Sequence, residues 1–229
     1  MFRKLRTPSA AILNFDWSTP PIIFQKNPDV TFKASKLLAE HLNSTGDVIA
    51  RLTRVNDSFI RLRDRIAIAR QHQADLFVSI HADAASNAKA SGISVFSLSD
   101  SASDKEAALI AERENKADLL GGPDLAVEDP LAANALLGMF QRESMNESTY
   151  AAKSILKQVR SFPGGDKRGH RFAGFAVLKS PDIPSVLIEM GFLTNQQDEA
   201  NLKKNSYIDA LTKKIADAIL VYLKSSSRQ

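Results

Sequence analysis

Short apolar runs of strand length alternate with amphipathic helical stretches along this chain, and that alternation leaves few folds open. Leu76-Phe77-Val78-Ser79-Ile80 and Ser185-Val186-Leu187-Ile188 are both too short for helices and bounded by polar or turn residues, so they read as buried strands. Val48 to Thr53, Ile93 to Leu98 and Phe175 to Leu178 read the same way, and Ala10 to Phe15 is a candidate for another short buried strand. Between them, Pro28 suits a first helical position, Val30, Leu37, Leu38 and Leu42 form a helical stripe, and Gly46 stops it. Ile60 to Gln73 is an amphipathic basic helix. A long helical stretch covers about 100–160, broken at Gly121-Gly122-Pro123. Ile208, Leu211, Ile215, Ile219 and Tyr222 recur at helical spacing and predict a terminal helix. The pattern predicts an α/β fold: a mostly parallel central sheet flanked by helices, with a helical insertion at about 100–160.

Composition removes several classes of function. The 229 residues include no cysteine, so disulfides and thiolate metal sites are excluded, and any metal must be held by imidazole and carboxylate groups. The net charge of +4 is spread along the chain and comes with no nucleic-acid-binding motif. No apolar run reaches the ~18 residues of a membrane span. The basic start Met1-Phe2-Arg3-Lys4-Leu5-Arg6 is followed by a stretch too interrupted for a clear signal peptide.

In a sheet of this kind, sites form beyond the carboxyl ends of strands. One strand runs directly into His81-Ala82-Asp83, and another into Glu189-Met190-Gly191-Phe192. An imidazole and a carboxylate at adjacent strand ends could share a metal ion and its water. Each also has a plainer reading: His81 as a hydrogen-bonded structural histidine, Glu189 as a solvated strand end or helix-cap acceptor. His41 and His72 fall on polar helix faces, and His170 falls in a loop before a strand, where it could face a substrate.

Three segments, in order and at matching spacing, resemble zinc-dependent N-acetylmuramoyl-L-alanine amidases, which cut peptidoglycan. Ala74 to Asp83 is similar to their central motif and Pro184 to Asn195 to their last. Leu52-Thr53-Arg54 through Ile68-Ala69-Arg70 is similar to the segment ahead of the central motif. The resemblance runs from about Asp29 to Leu223. It implies zinc as cofactor, His81 as a metal ligand and Glu189 as the catalytic carboxylate. The implied reaction is hydrolysis of the amide between N-acetylmuramic acid and the L-alanine of the stem peptide. Asp83, His170, Arg171 and Asn195 are candidates for substrate contact. The resemblance implies peptidoglycan as partner and a periplasmic location; a monomer without a membrane span is also expected. The helical insertion resembles segments that hold such amidases inactive until an activator protein binds, with Glu128 and Glu143 as candidate regulatory carboxylates offered to the zinc.

The resemblance fails at the start of the chain. The family's first strand ends in a glycine-rich turn carrying a histidine ligand, and a glutamate ligand opens its first helix. Here Phe15-Asp16-Trp17-Ser18-Thr19 holds neither glycine nor histidine, and Gln25-Lys26-Asn27-Pro28-Asp29-Val30 holds no glutamate. Residues 1–27 are therefore set apart as an atypical segment, and 28–229 as the amidase-like catalytic domain. The abrupt change near Pro28 favours an altered or truncated start over a genuinely degenerate homologue. With two of the usual ligands missing, two readings stay open: an amidase of impaired activity, or a catalytically inactive peptidoglycan-binding or regulatory homologue.

Overall fold

The computed structural model describes residues 9–15, 28–56, 58–116, 134–165 and 168–226. Six strands form one sheet: β1 (Ser9–Phe15), β2 (Val48–Leu52), β3 (Leu76–His81), β4 (Ser94–Leu98), β5 (Gly169–Ala173) and β6 (Ser185–Glu189). Their spatial order is β2-β1-β3-β6-β4-β5. Four of them, β2, β1, β3 and β6, run parallel, and β4 pairs antiparallel with β6 while lying parallel to β5. The mostly parallel sheet expected from the sequence is present, with β1 in its interior rather than at an edge.

Both sheet faces are covered, which is why the central strands read as continuous apolar runs. Side chains alternate along each strand, so each strand feeds two cores. One core joins Leu13, Val78, Ile80, Val186 and Ile188 to helices α1 (Pro28–Asn43), α4 (Asn134–Val159) and α6 (Asn205–Ser226). The other joins Ile12, Phe77, Phe96 and Leu187 to α2 (Leu62–Gln71), α3 (Lys105–Lys116) and a short 3-10 turn at Ala176–Leu178. The five residues that marked the terminal helix are all buried on α6. Gly46, at φ +73°, takes the left-handed conformation that ends α1.

Phe175 to Leu178 corrects the strand reading. The strand lies just upstream at Gly169–Ala173, and 176–178 is a 3-10 turn. The apolar run misleads because Phe175, Val177 and Leu178 are all buried by folding the chain over, not by extending it. The strand itself carries Gly-His-Arg-Phe-Ala, a polar edge with little β signature. A second helix before the terminal one, α5 (Gln196–Leu202), also goes beyond the sequence reading.

Candidate metal and catalytic centre

The register of the sheet builds the site. His81 and Glu189 are direct register partners on the neighbouring parallel strands β3 and β6, so their side chains leave the same face. That face is the one on which Phe77 and Leu187 contribute to the α2/α3 core. His81 is 1% exposed and Glu189 0%. Asp83, two residues past the strand, turns its side chain back toward His81, with Oδ1 3.7 Å from Nδ1.

A further carboxylate arrives from above. On α3 the buried positions are Ala107, Ile110, Ala111 and Glu114, a single helical stripe facing the sheet. Glu114 closes that stripe and puts Oε2 3.6 Å from His81 Nδ1. A ligand atom from each of His81, Asp83 and Glu114 lies within 4.8 Å of the other two. The sequence signal for Glu114 was an acid on the apolar stripe of an amphipathic helix, a position that charge occupies only with a partner.

These separations exceed hydrogen-bond length. They suit atoms sharing one ion: two ligands about 2.1 Å from a tetrahedral metal stand about 3.4 Å apart. Asp83 Oδ2 and Glu189 Oε2 are buried without a hydrogen-bond partner among the described residues. Two buried carboxylates beside one imidazole, with a third on its register partner, need a cation or bound protons to be tolerated. The nitrogen and oxygen donor set, without thiolate, is that of zinc and other borderline divalent ions. The residues present therefore fit the metal that the resemblance implies.

Behind the imidazole, a row of polar side chains runs from β3 across β1 to the residue just past β2. Ser79 Oγ lies 2.8 Å from His81 Nε2. Asn14 Nδ2 donates to Ser79 Oγ at 2.8 Å, and Thr53 Oγ1 donates to Asn14 Oδ1 at 3.1 Å. The ring is thus fixed at Nε2, leaving Nδ1 aimed at the two carboxylates. Support of this kind orients metal-binding histidines.

Glu189 is held differently. Its Oε1 accepts from the backbone N–H of Asp83 at 3.2 Å and of Gly191 at 3.3 Å. Burial first, and the Asp83 charge second, push its carboxyl well above the usual carboxylate range. Arg168 and the two N–H donors pull the other way. Gly191 stands at φ +140°, and a Cβ there would meet the Asp198 carboxylate at 3.1 Å. A bare backbone at 191 is what lets the chain turn tightly enough to donate to Glu189.

The family profile described as N-acetylmuramoyl-L-alanine amidase matches residues 25–221. The chain belongs to the N-acetylmuramoyl-L-alanine amidase family. It is 42% identical over 174 residues to the amidase AmiA of Salmonella typhimurium, covering 76% of this chain and 60% of that protein. To AmiA of Escherichia coli it is 38% identical over 198 residues, covering 86% of this chain and 68% of that protein. The chain thus spans roughly two thirds of the length of these relatives. Among solved structures, the CwlD amidase of Clostridioides difficile, in complex with the GerS lipoprotein, matches with a TM-score of 0.60 and 20% identity. That match covers 95% of this chain and 99% of that one, and shows a common fold.

The other residues singled out in this amidase-family chain fall in distinct places. Arg171 is buried and binds Asp104 and Glu106, with Nη1 to Glu106 Oε2 at 3.0 Å, so it clamps the start of α3 to β5. His170 lies in β5, with Nε2 2.8 Å from Ser97 Oγ, and burial lowers its pKa. Asn195 caps α5 by accepting from the N–H of Gln197 and Asp198, and its Nδ2 donates to the Ala88 carbonyl at 3.1 Å. Glu143 is exposed on α4. Glu128 lies outside the described residues. The carboxylate that the 100–160 stretch brings to His81 is Glu114.

Proposed function

We propose that this domain hydrolyses the amide joining the lactyl group of N-acetylmuramic acid to L-alanine in peptidoglycan. The observation that carries this reading is the register pairing of His81 with Glu189 beside two further buried carboxylates. His81 Nδ1, Asp83 and Glu114 would hold the metal, standing in for the ligands that the first residues of the chain do not offer. A zinc ion held there would supply a Lewis acid for the amide carbonyl and would lower the pKa of the attacking water. Glu189 takes the proton of that water on Oε2, the oxygen left over once two N–H groups hold Oε1. As the oxygen bonds to the carbonyl carbon and the C–N bond breaks, Glu189 passes the proton to the departing amine of L-alanine. A carboxyl group whose pKa is raised by burial suits both halves of that transfer.

The substrate also fixes the setting. Peptidoglycan lies beyond the cytoplasmic membrane, which supports a periplasmic site of action. Among the described residues no helix is long and apolar enough to cross a membrane. The position of Glu114 on α3, beside His81 where a metal would be held, together with a similarly folded amidase whose structure has a lipoprotein bound, supports control by a partner acting through the 100–160 stretch.

The test is release of free stem peptides from purified muropeptides by the zinc-loaded chain, with Glu189→Gln as control. Release by wild type but not by the variant is expected. Sedimentation with sacculi without release would instead favour the non-catalytic homologue.

A further inference from the structure

Beside the centre, the loop that follows β3 and the first turns of α3 enclose a groove of about 620 Å³. Lys89, Lys105, Arg113 and Arg168 line it against a single carboxylate, Glu106, with Leu109 on its wall. Glu106 is already shared by Arg168 and Arg171. Lys89 and Lys105 make no ion pair among the described residues, so the groove keeps a net positive field.

The groove is preformed. Thr194 Oγ1 accepts from Ala85 N at 3.0 Å, Asn195 Nδ2 donates to Ala88 O at 3.1 Å, and Asp198 Oδ2 accepts from Gly92 N at 2.9 Å. Arg113 donates to the Ala84 carbonyl from the opposite side. A loop pinned at so many points loses little freedom when a ligand arrives. It also adjoins the reacting groups: Arg113 precedes Glu114, Ala85 lies two residues past Asp83, and the Arg168 charge acts on Glu189.

We propose that this groove seats the peptide arm of the substrate through its carboxylates and so sets the direction in which the substrate lies. The inference rests on the amidase reading above. The two arms of the scissile amide differ in charge. The N-acetylated sugars are neutral once the lactyl carboxyl is tied up in the amide, whereas an unamidated stem peptide is anionic. A cationic groove at one side of Glu189 sorts them, taking the peptide and leaving the glycan to the other side. Its size falls in the range of small-ligand sites, enough for a short peptide. It follows that stems with free carboxylates are preferred to amidated ones.

The probes are a stem tetrapeptide with free carboxylates, its amidated counterpart and a neutral disaccharide, titrated calorimetrically into the full chain. The acidic peptide is expected to bind about tenfold tighter than the amide, and less tightly at high salt. Charge reversal at the two exposed lysines, K89E/K105E, should weaken the acidic peptide about tenfold and leave the other two probes unchanged. In turnover the variant should raise KM for acidic muropeptides and keep kcat. Circular dichroism of the variant establishes that it is folded. Equal binding of acid and amide, or indifference to K89E/K105E, overturns the proposal. So does loss of binding to inorganic phosphate or anionic vesicles in the variant with peptide binding kept, since the groove then serves another anion. Hydrolysis without acid-over-amide preference removes the groove inference and leaves the amidase reading. Selective peptide binding without any hydrolysis does the reverse.

Discussion

At the scale of single residues, the centre turns on how one imidazole and its carboxylates are held. His81→Ala, Asp83→Asn or Glu114→Gln removes one donor from the cluster and should lower zinc affinity, measured by competition with a chelator; unchanged affinity would exclude that residue as a ligand. Ser79→Ala removes the group that fixes Nε2 and should weaken zinc binding by about tenfold or more while leaving the fold intact. Glu189→Gln should abolish release and retain zinc. Burial of Glu189 also sets the direction of a pH dependence in the metal-free protein. Its folded-state pKa lies above the unfolded value, so its protonated form stabilises the fold at low pH. That stability is lost as pH rises through the raised pKa. Melting of metal-free wild type against Glu189→Gln from acid to neutral pH should show wild type falling away from the variant, and parallel curves would contradict it. The sequence places His81 and Glu189 at the ends of apolar strands, and their roles came from the resemblance of the motifs around them. Glu114 was not singled out, because its role depends on which helix face meets the sheet.

At the scale of elements, α3 packs against the sheet and carries Glu114 to His81. It is held by the buried stripe of Ala107, Ile110 and Ala111 and by the Arg171 clamp on Asp104 and Glu106. Ile110 is 1% exposed, so Ile110→Ala should cost about 3 kcal/mol in denaturant unfolding. Because the same stripe aims Glu114, that variant should also bind zinc more weakly than its stability alone explains. Asn195→Ala removes the α5 cap and a tie to the 84–92 loop, and should cost about 1 kcal/mol. The β5 strand shows the limit of pattern reading at this scale. Gly-His-Arg-Phe-Ala has weak strand character, and it is strand because β4 offers it an edge and α3 offers Arg171 two carboxylates.

At the scale of the molecule, the proposed metal site links binding to folding. A site assembled from β3, the turn after it and α3 exists only in the folded chain, so a metal held there would add directly to stability. Free zinc at one hundred times its dissociation constant should add about 2.7 kcal/mol, read as a raised Tm that a chelator reverses. A Tm indifferent to zinc would count against the site. The sequence by itself determined the alternation of strands and helices, the faces that Leu76 to Ile80 and the stripe on α6 would bury, and the strand ends that carry His81 and Glu189. These follow from local periodicity, since burial on a strand or a helix leaves a pattern of its own. Only the tertiary structure decided that β1 runs between β2 and β3, so that Asn14 could join Thr53 to Ser79 behind the imidazole. It also decided that Glu114, thirty-three positions beyond His81 in the chain, would close the cluster. Contacts between residues so far apart are set by which faces pack together, and packing leaves no period in the sequence to read.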